Sequence, residues 1–393
     1  MKRLTSLALL LIGSASAQAV EYSGNVAGEL QIFPQSAQFE SQMDENLTFS
    51  FKPKMTYAWN KNNDEFAVEL FFRADDKDDE RQHADIRELK WLHVAGNHEW
   101  RVGIDTVFWG VTESQHLVDV INQIDQVEGI DGEDKLGQPM VHYTTIQDWG
   151  VFHAFVLTGF REATFHAKEG RLRFPFVVDT DQTAYQSTDE ENHIDYALRY
   201  EHAIGDTEFG VSWFKGTNRD PVFSVGQGTN AQTVLIPTYL QMTQFGLDLQ
   251  SIIGDWIWKL EMIYRETDVD SFTALTSGFE YTFYGIMESA IDLGTLMEYS
   301  WEDRNESAGV FDNDIFAGFR FAFNDEQSTE ILAGYILDTD NKSKSMRVEA
   351  SRRLGDSWKL TAELQLFNSI AENDPLKAFS RDDYLLLELA RYF

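Results

Sequence analysis

Ser114, His116 and Asp119 lie close together in one segment, and hydroxyl, imidazole and carboxylate are the groups from which a nucleophile, its base and an orienting acid are made. Neighbours on a single loop do not by that fact converge on one reacting atom, and the nine His residues are otherwise scattered singly. The expectation is a chain that is not an enzyme. Asp75-Asp76-Lys77-Asp78-Asp79-Glu80 has the carboxylate density of a calcium loop, but it lacks the glycine and the terminal glutamate spacing of an EF-hand. It reads as a solvated loop, and neither a metal site nor a cofactor is expected.

Residues 109–136 are richer. They carry Glu113, Asp119, Asp125, Glu128, Asp131, Glu133 and Asp134 with only Lys135 opposing, together with Leu117, Val118, Val120, Ile121, Ile124, Val127 and Ile130. Carboxylates beside a narrow aqueous path concentrate cations and repel anions, so these residues, with Asn122, are candidates for a pore constriction. A segment this apolar is expected to fold inward against a wall. The alternative is a solvated outer loop that shares divalent cations with lipopolysaccharide.

Such a path needs walls, and the walls are legible as period-two strands. In 256–265, Trp256, Trp258, Leu260, Met262 and Tyr264 alternate with Lys259, Glu261 and Arg265. Phe66, Val68, Leu70 and Phe72 alternate likewise with Glu69 and Arg73, and Trp100, Val102 and Ile104 with Glu99, Arg101 and Asp105. The polar faces carry full charges along the strand, and Trp, Tyr and Phe crowd strand ends. A water-filled barrel with interfacial aromatic girdles requires that combination, whereas a soluble sandwich does not. Arg73, Arg101, Arg199, Lys259, Arg265, Arg320 and Arg347 then form an inward basic ladder. It serves either as a solute track or as the counter-charge of neighbouring carboxylates across the strands.

Strands are expected at 22–33, 46–60, 64–75, 83–95, 97–108, 137–147, 148–158, 192–203 and 206–217. They continue at 237–253, 255–268, 270–284, 292–303, 312–324, 327–340, 342–354, 356–369 and 380–393. The count is eighteen, with sixteen as the alternative because the fourth, tenth and twelfth alternate poorly. Short connections alternate with mostly longer ones, and residues 109–136 fall in the third outer loop. The fold class is all-β, a transmembrane antiparallel barrel in one domain over residues 20–393.

The chain begins with Lys2, Arg3, an apolar run from Leu4 to Ile12 and small residues at 15–19, the pattern of a secretory signal over 1–19. No later apolar window is long enough for a membrane helix. Without cysteine, disulfide scaffolds and thiolate chemistry are excluded. Removing Lys2 and Arg3 leaves 30 basic against 65 acidic residues, a net charge of 30 − 65 = −35, which makes nucleic acid an unsuitable partner. At 13% aromatics and 10 Trp, the chain is not a disordered acidic one.

The ending Leu385, Leu387, Leu389 and Phe393 at alternate positions resembles the C-terminal assembly signal of outer-membrane barrels. Residues 101–125 resemble the strand-then-loop signature of the alginate-export-like barrels and of related porin-like outer-membrane proteins. The residues that carry the likeness are Arg101-Val102-Gly103-Ile104-Asp105, Val107-Phe108-Trp109-Gly110, Leu117-Val118-Asp119-Val120-Ile121-Asn122 and Asp125. The resemblance implies an eighteen-stranded barrel with an inward loop and a Trp-Gly turn where the fifth strand yields to it. A polyanion such as alginate needs a basic conduit, and the acidic excess departs from that. The functional expectation is an outer-membrane channel for small hydrophilic solutes or an exported polymer, favouring cations. The alternative is a plugged barrel acting as an envelope assembly or export partner. Its expected partners are outer-membrane lipid, lipopolysaccharide and the barrel-assembly machinery.

Overall fold

The computed structural model describes residues 20–229, 231–304 and 309–393; the signal segment expected at 1–19 lies outside them. The first strands are β1 (Glu21–Ile32), β2 (Glu45–Trp59), β3 (Asp64–Asp75), β4 (Ala84–Ala95), β5 (His98–Asp105), β6 (Gln138–Gln147) and β7 (Gly150–Leu157). After a two-residue strand β8 (Ala184–Tyr185) come β9 (Asp195–Ile204), β10 (Thr207–Thr217), β11 (Val222–Gln227), β12 (Thr233–Tyr239), β13 (Gln241–Ile253) and β14 (Trp256–Thr267). The chain continues through β15 (Ser271–Phe283), β16 (Asp292–Glu302), β17 (Asn313–Ala322), β18 (Glu330–Asp338), β19 (Lys344–Leu354), β20 (Trp358–Asn368) and β21 (Tyr384–Tyr392).

Among the described residues, eighteen of these strands form one antiparallel sheet in which each pairs with the next along the chain. The sheet closes where β1 meets β21, from Asn25 opposite Tyr392 to Ile32 opposite Leu385. Closure satisfies every strand edge, as a wall facing hydrocarbon demands. Alternation sorts the side chains: on β14, Trp256, Trp258, Met262 and Tyr264 are exposed on the outer surface, while Glu261 and Ile263 are buried inside. Tyr57 and Trp59, Trp149 and Tyr200, and Trp256 and Trp258 stack in pairs on the outer surface near the short turns. That places one aromatic girdle at the short-turn end.

The poorly alternating strands have local causes. In β4 a bulge lets Glu69 of β3 face Glu88 while Leu70 faces Ile86, so Arg87 is the extra residue and both Arg87 and Glu88 turn inward. In β15, Phe272 and Ala274 sit on the lumen side because they pack against the third outer loop. The strand expected at 237–253 begins at Gln241; the residues before it belong to β12, which pairs with β11 and β8 in a separate three-stranded sheet of the outer loops. β5 stops at Asp105 rather than 108, since Asn122 reaches back to accept from the Val107 amide and to donate to the Asp105 carbonyl.

Candidate functional site

The third outer loop, residues 106–137 and hereafter L3, folds into the barrel. Its apolar residues decide the direction: Trp109, Val118, Val120 and Ile121 are buried in one cluster with lumen-facing Met140, Phe155, Leu157, Ala197, Phe214, Met242 and Ile263. Each aliphatic side chain so buried contributes about 1.5–3 kcal/mol, enough to hold a long segment in the lumen.

Two wall carboxylates then capture the loop backbone. Glu261, without solvent exposure, accepts from the amides of Val111 at 2.7 Å, Thr112 at 3.0 Å and Val118 at 3.2 Å, and from the Thr112 hydroxyl at 2.7 Å. Glu298 accepts from the amides of Glu113 and Ser114 and from Ser114 Oγ. Gly110 permits the close approach: at φ +140° it takes a conformation disfavoured for other residues, and a Cβ there would lie 2.9 Å from Glu261 Oε1. Because Glu261 is on β14 and Glu298 on β16, L3 crosses the lumen from β5 and β6 to the far wall. Asn122 ties its two ends, donating to the carbonyls of Asp105 and Leu136.

Five of the seven loop carboxylates meet a basic partner. Glu113 pairs with Arg320 at 2.8 Å, Asp119 with Lys135 at 2.7 Å, and Asp131 with Arg347 at 2.7 Å. Glu128 takes a bidentate pair with Arg73, which Glu29 also engages at 2.8 Å. Asp125 accepts from Arg87, His83 and Thr164. Burial opposes its charge, yet the His83 hydrogen bond and the Arg87 guanidinium hold its carboxyl well below the usual range. Glu133 and Asp134 have no ion-pair partner among the described residues; burial pushes both carboxyls up, and neighbouring carboxylates add to the shift. Burial likewise raises Asp119.

The basic ladder is neutralised by the wall and by L3 together. Arg101 pairs with Glu99, Arg199 with Glu201 and Asp248, Lys259 with Glu280 at 3.8 Å, and Arg265 with Asp220. Ser114, His116 and Asp119 do not converge: Ser114 Oγ donates to Glu298, and the His116 ring packs edge-on against Phe108 with Nδ1 unpartnered. His83, Asp125 and Glu128 bring one ligand atom each within 4.8 Å of one another, but Arg87 and Arg73 already hold the two carboxylates.

Sequence reasoning missed the anchoring carboxylates Glu261 and Glu298 and the role of residues 158–194, the fourth outer loop, L4. Asp78, read as solvated, has no exposure; it accepts from His166 and from the Ala167 amide of L4. L4 also lies on L3 through Thr164, whose hydroxyl donates to Asp125. At its far end Arg171 enters the loops between β1 and β2 and between β20 and β21. Asp76, Lys77, Asp79 and Glu80 are exposed, as the reading of a solvated loop expects, and no local pattern singles out Asp78 among them.

Beside L3, on the side of β14 to β20, a cavity of about 680 Å³ remains open. Its lining holds ten carboxylates, Glu113, Asp119, Asp131, Glu133, Asp220, Glu302, Asp314, Asp338, Glu349 and Asp374, against five basic groups, Lys135, Arg265, Arg304, Lys344 and Arg347.

No protein-family model and no curated relative matches the chain. Among solved structures, a BenF-like porin from Pseudomonas fluorescens aligns over 95% of this chain and 98% of its own at 10% identity, with a TM-score of 0.54. OmpT of Vibrio cholerae aligns over 95% and 97% at 10% identity, with a TM-score of 0.47. The fold is that of an outer-membrane porin. At this identity the likeness is one of fold. Trp109 and Gly110 stand at the start of L3, Trp109 packed edge-on against Phe155 and 5% exposed.

Proposed function

We propose that the chain is an outer-membrane channel for small hydrophilic solutes that favours cations, residing in the envelope of a Gram-negative-type bacterium among lipopolysaccharide and lipid. The carrying observation is the cavity beside L3, whose lining has twice as many carboxylates as bases. Low-dielectric walls concentrate such a field and enrich the opposite ion. A bridge of chain across the lumen suits small solutes better than a polymer, and an acidic lining suits a polyanion least. Single-channel recording in planar bilayers under a salt gradient tests the reading: defined steps with a cation-selective reversal potential are expected.

The second reading is a plugged barrel with an assembly or export role. It draws support from the clamping of L3 on several sides at once, by Arg73, Glu261, Glu298 and Arg347, with L4 laid over it. A barrel that inserts but stays electrically silent favours this second reading.

A further inference from the structure

We propose that the cavity beside L3 binds a small amphipathic cation, an amine or guanidine carried on an aromatic or branched apolar body; this deepens the cation-favouring channel reading and rests on it.

The wall is more apolar than an ion path alone requires. Ile263, Phe272, Phe316, Leu332, Ile336 and Phe367 all line it. A hydrated inorganic ion gains nothing from these surfaces, whereas an organic body gains its transfer free energy. The volume, about 680 Å³, is that of a site for a molecule and not for a bare ion.

The charge on the same lining selects the sign. Glu133, Asp314, Asp338 and Asp374 line the cavity without an ion-pair partner among the described residues, against Lys344 as the lining base in the same condition. Asp119 adds a buried acceptor: its side chain is 1% exposed, Lys135 holds Oδ2, and Oδ1 has no hydrogen-bond partner. The protein itself already uses this chemistry on the wall. The Arg304 guanidinium lies 3.8 Å from the Phe272 ring centroid while Glu302 binds its nitrogens at 2.7 and 2.8 Å. A ligand with a planar or compact cation beside an apolar body repeats that arrangement a few residues away.

The test is calorimetric titration of the full-length, detergent-folded barrel with phenethylammonium, phenylacetate and methylammonium, joined to bilayer recording with the same three probes. Phenethylammonium should bind at least about tenfold tighter than either of the others, because only it offers both halves of the site. In Asp314→Asn/Asp338→Asn its preference over phenylacetate should fall about fivefold; asparagine keeps the acceptor that caps the Asp340 and Asn341 amides, so the turn survives. If that variant does not fold, Glu133→Gln reports the same loss on a loop position. Equal binding of phenylacetate, or no binding of any probe, overturns the site. A barrel that binds the amine but is silent in bilayers keeps the site and removes the channel; one that conducts without discriminating among the probes keeps the channel and overturns the site.

Discussion

Arg171 and Asp382, both without solvent exposure, meet at 2.7 Å and tie L4 to the loop between β20 and β21, across the mouth from the strands that carry L4. The same guanidinium donates to the Met43 carbonyl at 3.1 Å and lies 4.6 Å from the Phe33 ring centroid, while the Leu172 amide donates to the second Asp382 oxygen. L4 is therefore a strap fastened at both ends.

Replacing Arg171 by Ala leaves the Asp382 carboxylate buried and without its cation, a change that costs about 3–5 kcal/mol where it occurs. The barrel ladder does not depend on it. Limited proteolysis of the folded barrel should cut within 158–194 many times faster in the variant, with unboiled gel migration unchanged. Equal cutting rates would refute the strap.

The buried partners Asp125 and Glu128 act first on the position of L3. Asp125→Asn/Glu128→Gln should weaken its docking by about 2–4 kcal/mol, since Arg73 and Arg87 lose their closest counter-charges. Glu133→Gln, whose carboxylate has no such partner, should shift the reversal potential and leave the loop docked. Amide exchange over 118–136 read beside the reversal potential separates the two; a selectivity change without faster exchange in the double variant would count against the assignment.

His83 links pH to the same loop. Burial disfavours its charge, but the hydrogen bond to Asp125 and the fields of Asp125 and Glu128 win, so its pKa is raised above 6.5. The raised value means that its contribution to docking is complete below pH 6.5 and is lost as pH rises through the folded value. The Asp125 carboxyl, held low, keeps its charge through mild acid. Protection of the L3 amides, taken as the intrinsic exchange rate divided by the observed rate at each pH, should fall from pH 6.5 upward, and His83→Gln should flatten that dependence; a protection profile unchanged by the substitution would exclude His83 as its source.

Asn122→Ala removes hydrogen bonds to Val107, Asp105 and Leu136 in a site that is 2% exposed. The expected loss is about 2–3 kcal/mol, seen as a lower thermal midpoint of the detergent-folded protein. Asn122→Asp keeps the acceptor for the Val107 amide but sets a buried carboxylate oxygen against the Asp105 and Leu136 carbonyls, and should fall at least as far. A midpoint within error of the parent for Asn122→Ala would show that the tie is dispensable.

The eighteen barrel strands were legible because lipid and lumen impose opposite demands on alternate residues, and Trp256 to Arg265 states both. The inward course of L3 was legible too, since Val118, Val120 and Ile121 had nowhere else to be buried. Its partners were not: Glu113 and Arg320 are 207 residues apart, and no local pattern links them. The hairpin of β11 and β12 also escaped, because it stands outside the barrel wall and pairs with β8 and, through Leu235, with Val178 of L4, leaving no lipid-lumen alternation to read. Glu261 was visible as an inward carboxylate, but its burial under the Val111 and Thr112 amides depends on L3 arriving from the other side of the lumen.

Since the apolar side of L3 covers lumen residues from β6 through β15, the cylinder has one laminated arc, and from β16 to β20 an arc only one sheet thick. Side chains on the inner face of the laminated arc live by the rules of a soluble core, where a changed methyl group is felt by every neighbour. Those on the thin arc border the cavity, except where Glu298, Arg320 and Arg347 reach across to hold L3. Substitutions on β16 to β20 away from those three side chains should therefore change the lining of the cavity at little cost to the packing of the laminated arc.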